Sequence, residues 1–234
     1  MVKSNLIFRQ LFDSDTSTYT YLLGCEKTKD AMIIEPVLEC VERDLKLVNE
    51  LGLNLIYGVN THVHTDHTTG TGQIKKSIPN CKSVLGANSG GKADLYLKDG
   101  DNLLVGNLTV ECRYTPGHTL GCFTFVLHED RIAFTGDAVF VRGCGRTDLH
   151  HSCAKTLYHS VHSKIFSLPS DYKLYPAHDY KGMSVTTVGE EKLYNPRLTK
   201  TVDEFVQIMS NLKLDLPRRI DTSYPANLVC GIQD

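Results

Sequence analysis

Thr61-His62-Val63-His64-Thr65-Asp66-His67-Thr68-Thr69-Gly70 places three imidazoles and a carboxylate within six positions, in the order His-x-His-x-Asp-His. These are the side chains that bind zinc, iron or manganese near neutral pH. The run before them, Asn54-Leu55-Ile56-Tyr57-Gly58-Val59-Asn60, is mostly apolar and β-prone, so the cluster is expected where a buried strand ends. A loop that is histidine-rich by chance would have no matching ligands farther along the chain. This one has them.

Outward from that stretch, toward the N-terminus, residues 5–12 and 18–25 read as strands separated by the turn-prone Asp13-Ser14-Asp15, and residues 31–35 as a third strand closed by Pro36. Val37, Val41, Leu45, Val48 and Leu51 recur at helical spacing up to Gly52, giving a helix over 37–51. On the other side, a short helix over 69–78 stops at Pro79-Asn80, and 81–86 reads as a strand parallel to 54–60. Short strands follow at 102–105, 108–115, 121–127 and 131–135, then a helix over 152–168, a strand at 172–176 and an amphipathic helix over 202–212. Two groups of strands, each with its own helices, imply an α/β protein built as an αββα sandwich of two mixed β-sheets. No linker-like stretch interrupts it, so residues 1–234 are expected to form a single domain.

Composition narrows the function. With 41% hydrophobic and 22% charged residues the chain has material for a substantial core, and its net charge of −2 argues against a nucleic-acid partner. No apolar run approaches the ~20 residues needed to cross a bilayer. Met1 to Gln10 carries neither a signal-peptide apolar segment nor an Arg/Ser-rich presequence, so the expectation is a cytosolic protein or one whose transit peptide has been removed. The eight cysteines are scattered without a Cys-x-x-Cys pair, which suits a reducing compartment.

Three further sites repeat one design, a strand that runs into a loop bearing a ligand-type residue. Thr115-Pro116-Gly117-His118-Thr119 supplies His118, Ala133-Phe134-Thr135-Gly136-Asp137 supplies Asp137, and Tyr175-Pro176-Ala177-His178-Asp179 supplies His178. Singly, each is an ordinary turn or capping residue. Together with the opening stretch they make seven ligand-type side chains at strand ends, where α/β proteins place their sites. The whole set resembles the metallo-β-lactamase superfamily, whose fold is the αββα sandwich. In its two-metal members the equivalents of His62, His64 and His118 hold one metal, those of Asp66, His67 and His178 the other, and that of Asp137 bridges.

Phe134-Thr135-Gly136-Asp137-Ala138-Val139-Phe140-Val141-Arg142-Gly143-Cys144-Gly145-Arg146-Thr147-Asp148 resembles the persulfide dioxygenase branch of that superfamily. So do Pro176-Ala177-His178-Asp179-Tyr180-Lys181-Gly182, Val188-Gly189-Glu190-Glu191, Asn195-Pro196-Arg197-Leu198-Thr199 and Pro225-Ala226-Asn227. The resemblance implies one non-haem Fe(II) per chain, held by His62, His118 and Asp137, with His64, Asp66, His67 and His178 orienting that triad. It implies oxidation of glutathione persulfide by O₂ and water to sulfite and glutathione, in mitochondrial hydrogen sulfide catabolism. It leaves a homodimer as the candidate assembly.

Substrate carboxylates call for cationic and hydroxyl donors, for which Arg146, Tyr180 and Thr119 are the candidates, with Arg142 behind them. The competing reading of Arg146 is a structural ion pair with Asp148 or Asp179. Cys144 and Cys230 are expected to be buried thiols. The sequence Leu149-His150-His151-Ser152 departs from that branch beside the expected pocket. The alternative function is a hydroxyacylglutathione hydrolase (glyoxalase II) with a Zn(II) pair, in the cytoplasm. It shares all seven ligand-type residues but has a longer C-terminal helical segment. A catalytically silent metal- or thiol-binding protein on this fold is the remaining reading.

Overall fold

Strands β1 (Leu6–Asp13) and β2 (Thr18–Cys25) pair antiparallel from Leu6↔Cys25 to Asp13↔Thr18, and β3 (Asp30–Ile34) adds antiparallel to β2. Helix α1 (Val41–Glu50) then carries the chain to β4 (Asn54–Val59), parallel to β3, and α2 (Thr71–Ser77) carries it to β5 (Lys82–Gly86), parallel to β4. Strand β6 (Leu95–Leu97) closes this sheet in parallel. The chain is described here from a computed structural model covering residues 5–149 and 151–231.

The second sheet is an antiparallel run of β7 (Asp101–Val105), β8 (Leu108–Tyr114), β9 (Phe123–Leu127) and β10 (Ile132–Gly136). Helix α3 (Ala154–Ser160) leads back to β11 (Lys173–Pro176), parallel to β10, and β12 (Thr186–Thr187) pairs antiparallel at the edge. Helices α4 (Val188–Tyr194), α5 (Val202–Ser210) and α6 (Ile220–Asn227) complete the described chain.

Alternation along the strands explains the layers. In β2 and β3, Tyr21, Leu23, Met32 and Ile34 point between the sheets and meet Phe123, Phe125 and Phe134 of the other sheet. The intervening Leu22, Ala31 and Ile33 point outward onto Val41 and Val48 of α1 and Ile74 of α2. On the far side, Val126, Ala133 and Leu174 pack on Leu157, Phe205 and Met209 of α3 and α5. Each fully buried Leu, Ile or Phe contributes roughly 1.5–3 kcal/mol. The architecture is the αββα sandwich of two mixed sheets.

Five elements differ from expectation. The helix expected over 152–168 ends as α3 at Ser160 and continues as a π turn over Val161–Ile165, where Phe166 N–H donates to Val161 O at 2.8 Å. The wider turn keeps Leu157, Val161 and Ile165 buried on the same side. Strands β6 and β12 were not expected, and neither were helices α4 and α6.

Candidate metal centre

The strand ends converge where the opening stretch leaves β4. Gly136, at the end of β10, has φ +52°, and a Cβ there would lie 2.5 Å from Thr61 Oγ1. Only glycine tolerates both the conformation and the approach. Phe123 N–H donates to Thr61 O at 2.9 Å, so the two sheets are joined beside His62. Gly145 has a similar role: a Cβ there would meet Asp137 O at 2.5 Å and the His118 ring at 3.0 Å. That approach lets the Gly143–Gly145 loop close on the site.

His62, His118 and Asp137 each present a ligand-type atom, all within 4.8 Å of one another. Their other atoms are occupied. His62 Nδ1 lies 2.9 Å from Thr61 Oγ1, whose hydroxyl donates to Glu35 Oε2 at 3.2 Å. His118 Nδ1 donates to Arg146 O at 2.8 Å. Asp137 Oδ1 accepts from His178 Nδ1 at 2.9 Å, leaving Oδ2 at 3.4 Å from His118 Nε2. Two Nε2 lone pairs and one carboxylate oxygen therefore face a common centre, a donor set that fits a two-His-one-carboxylate metal site. Burial, reinforced by His64, holds the His62 imidazole well below its ordinary pKa, so it is neutral and able to ligate.

His64, Asp66, His67 and His178 form a second group within 4.8 Å. His178 donates to Asp137 Oδ1 through Nδ1 and to Asp66 Oδ2 at 2.8 Å through Nε2. Burial opposes its charge, but the two carboxylates outweigh burial and raise its pKa well above the usual imidazole value. Asp66 is likewise opposed by burial and pulled well down by His178 and His67. His64 Nδ1 and His67 Nε2 are buried without a hydrogen-bond partner among the described residues, and His64 Nε2 abuts the Glu35 carboxylate.

Sequence reading missed three residues here. Glu35 directly follows β3, with its carboxylate buried under the loop, accepting from Thr61 N–H and Oγ1. Thr61 links it to His62. Asn227, in α6, accepts from Thr69 N–H at 2.8 Å and donates Nδ2–H to His64 O at 3.0 Å and His67 O at 2.8 Å. For Asn227 the only sequence hint was Pro225-Ala226-Asn227 among the motifs of the resembled branch.

A cavity of about 400 Å³ opens beside Asp137, His118 and His178. Arg146 reaches its wall, but its guanidinium fork is closed on Asp148, at 2.7 and 2.8 Å. Tyr180 also lines the cavity, its ring stacked parallel to that of His178 at 6.1 Å. Thr119 does not line it; its hydroxyl accepts from Gly121 N–H and meets Cys122 Sγ in a local turn. Arg142 is tied to the buried Glu191. Cys144 and Cys230 are buried, and burial pushes the Cys144 thiol up to about 11 against the pull of Arg197. His150 lies outside the described residues.

A family model described as the metallo-beta-lactamase superfamily matches residues 14–178. The chain belongs to the metallo-beta-lactamase superfamily. The human mitochondrial persulfide dioxygenase ETHE1 is 54% identical over 228 residues, 97% of this chain and 90% of that protein. The crystal structure of ETHE1 from Myxococcus xanthus superposes with a TM-score of 0.94 at 46% identity, covering 97% of this chain and all of that one. Another superfamily relative, the hydroxyacylglutathione hydrolase GloC of Haemophilus influenzae, is 33% identical over 193 residues, 73% of this chain and 88% of that protein.

Proposed function

We propose that the chain is a persulfide dioxygenase, converting glutathione persulfide, O₂ and water to glutathione and sulfite at one Fe(II). The observation that carries the activity is 54% identity across 97% of the chain with a human enzyme of that name. The hydrolase relatives are more distant and share less of the chain.

In this reading His62, His118 and Asp137 hold the iron. Bound there, iron supplies the one-electron chemistry that makes O₂ reactive, which protein side chains lack. The chain's own residues do the rest. Glu35 and Thr61 fix the tautomer of His62, and the Arg146 carbonyl fixes that of His118. His178, protonated between Asp66 and Asp137, keeps one Asp137 oxygen occupied and the other turned to the centre. Tyr180 and Arg146 line the pocket that receives the persulfide, and Thr119 supports the turn next to His118. The name of the human relative includes the word mitochondrial, and sulfide oxidation in that compartment is the setting we propose.

The test is to purify the protein without added metal, quantify iron and zinc per chain, and follow O₂ uptake with glutathione persulfide. One iron per chain with O₂ consumption and sulfite release is expected. Stoichiometric zinc, hydrolysis of a glutathione thioester and no O₂ uptake would overturn the reading in favour of the hydrolase.

A further inference from the structure

The segment 137–146 has two duties at the metal centre. It begins with Asp137 and ends at the Arg146 carbonyl, which accepts from His118 Nδ1 at 2.8 Å. Its shape therefore places one proposed ligand and sets the tautomer of another. In between, the chain turns back on itself: Phe140 N–H donates to Gly143 O at 3.0 Å and Gly143 N–H to Phe140 O at 3.2 Å. Arg142, inside that turn, has φ +57°. This is the left-handed region, which favours glycine or asparagine, and an arginine persists there only when its surroundings hold it.

The holder is Glu191 of α4, a fully buried carboxylate that does not line the cavity. It takes Arg142 at both ends. Oε2 accepts from the Arg142 backbone N–H at 3.0 Å, and Oε1 accepts from the guanidinium Nη1. Asn195, also fully buried, completes the grip: its Nδ2 donates to Glu191 Oε2 at 2.7 Å and to Gly143 O at 3.0 Å. Carboxylate and turn thus share one amide. Behind them stands the second sheet. Thr186 Oγ1 of β12 lies 2.7 Å from Glu191 Oε1, and Val188 N–H at the start of α4 donates to Tyr172 O at 3.0 Å, just ahead of β11. Strand β11 is the parallel neighbour of β10, which delivers Asp137. The turn is therefore fixed to the same sheet as the ligand it follows. Desolvation offsets much of the attraction in a buried ion pair, so its net contribution to stability is small; what it adds is one defined geometry for the groups it joins.

We infer that Glu191, with Asn195, is a positioning residue of the metal centre: it clamps the Phe140–Gly143 turn so that Asp137 and His118 keep their donor atoms on a common point. The clamp acts through the backbone, by way of Arg142, Gly143 and Gly145, whose N–H donates to Asp137 O at 2.8 Å. This role rests on the triad of His62, His118 and Asp137 proposed above.

The test titrates Co(II) into metal-free protein for wild type, Glu191→Gln, Arg142→Ala and Val48→Ala. The last opens a cavity under α1, on the outer face of the other sheet, and costs stability without touching the segment. Co(II) affinity should fall roughly ten- to hundredfold in Glu191→Gln, and by a smaller factor in Arg142→Ala, which keeps the backbone N–H. In Val48→Ala it should stay near the wild-type value. Imidazole nitrogen NMR shifts of the metal-free protein give a readout that needs no metal: His118 should be a single Nδ1–H tautomer in wild type and Val48→Ala, and a mixture of both tautomers in Glu191→Gln. If Glu191→Gln matches Val48→Ala in both Co(II) affinity and His118 tautomer, Glu191 is a structural ion pair and the positioning role is overturned. Should Glu191→Gln fail to fold, Arg142→Ala decides in the same way: wild-type affinity and a single tautomer there would overturn the clamp. His118→Ala keeps the two readings apart. Co(II) binding that survives that substitution unchanged removes the proposed triad, and the clamp then stands or falls on the His118 tautomer alone.

Discussion

Glu35 is the residue on which the centre's alignment turns. It adopts φ +55°, in the left-handed region, which costs a non-glycine residue roughly 1–2 kcal/mol. The conformation turns its carboxylate beneath the metal loop, where Thr61 N–H and Oγ1–H donate to it and His64 abuts it. Burial raises its pKa, with His62 and the Thr61 N–H pulling the other way. Glu35→Ala leaves these donors buried without their acceptor, so it should lower unfolding stability by roughly 3–5 kcal/mol. It should also lower metal content, because nothing then holds the Thr61 hydroxyl toward His62. Glu35→Gln, which keeps one acceptor oxygen, should fall between. Urea unfolding together with metal quantification checks both effects, and wild-type metal content in Glu35→Ala would end the argument. The residue was not legible in the sequence because its partners are 26 positions and more away. As Ile33-Ile34-Glu35-Pro36 it reads as an ordinary strand end. The histidines were legible because metal spacing is local. Arg146 shows the limit from the other side: its position near the site could be read, but its closed fork on Asp148 could not.

At the scale of elements, the least expected piece is helix α6. It has Pro225 inside it and no periodic apolar stripe, so neither of the ordinary helix signals marks it. Its function in the fold is carried by one side chain. The amide of Asn227 satisfies Thr69 N–H, His64 O and His67 O at once, bracing the metal loop from 158 to 163 positions away. An aspartate is the same shape but would face two carbonyl oxygens with no N–H to give. Asn227→Asp should therefore be at least as damaging as Asn227→Ala, each costing roughly 2–4 kcal/mol for the buried groups left unpaired. Thermal or urea unfolding measures this, and a near-neutral Asn227→Asp would show that the brace is incidental. The short edge strands β6 and β12 escaped sequence reading because three and two residues carry no period. Helix α4 did leave a trace, the Thr187…Glu190 capping box, in which each side chain satisfies the other's backbone N–H. The long strands and α1 were legible because burial on one or both faces imposes a period that composition alone reveals.

At the scale of the whole molecule, the proposed metal ligands come from both halves of the sandwich. His62 follows β4 of the first sheet, whereas His118 follows β8 and Asp137 follows β10 of the second. A metal bound there links the sheets at one end of the core, and its binding free energy becomes folding stability. At a free metal concentration a thousandfold above Kd, that linkage is about 4 kcal/mol. In a chain of this length it corresponds to roughly 8–16 °C in Tm. Chelation should therefore lower the apparent Tm by about that amount without unfolding the protein at room temperature, because His178 continues to compensate Asp137 and Asp66 when the metal leaves. His62→Ala removes a ligand, and its Tm should no longer respond to chelator. Asp66→Ala removes a partner of His178 and His67 but none of the three proposed ligands, so it should retain much of the metal and of the chelator response while altering activity. A chelator response lost equally in both variants would mean that Asp66 ligates, and the two-metal arrangement would then describe this centre better.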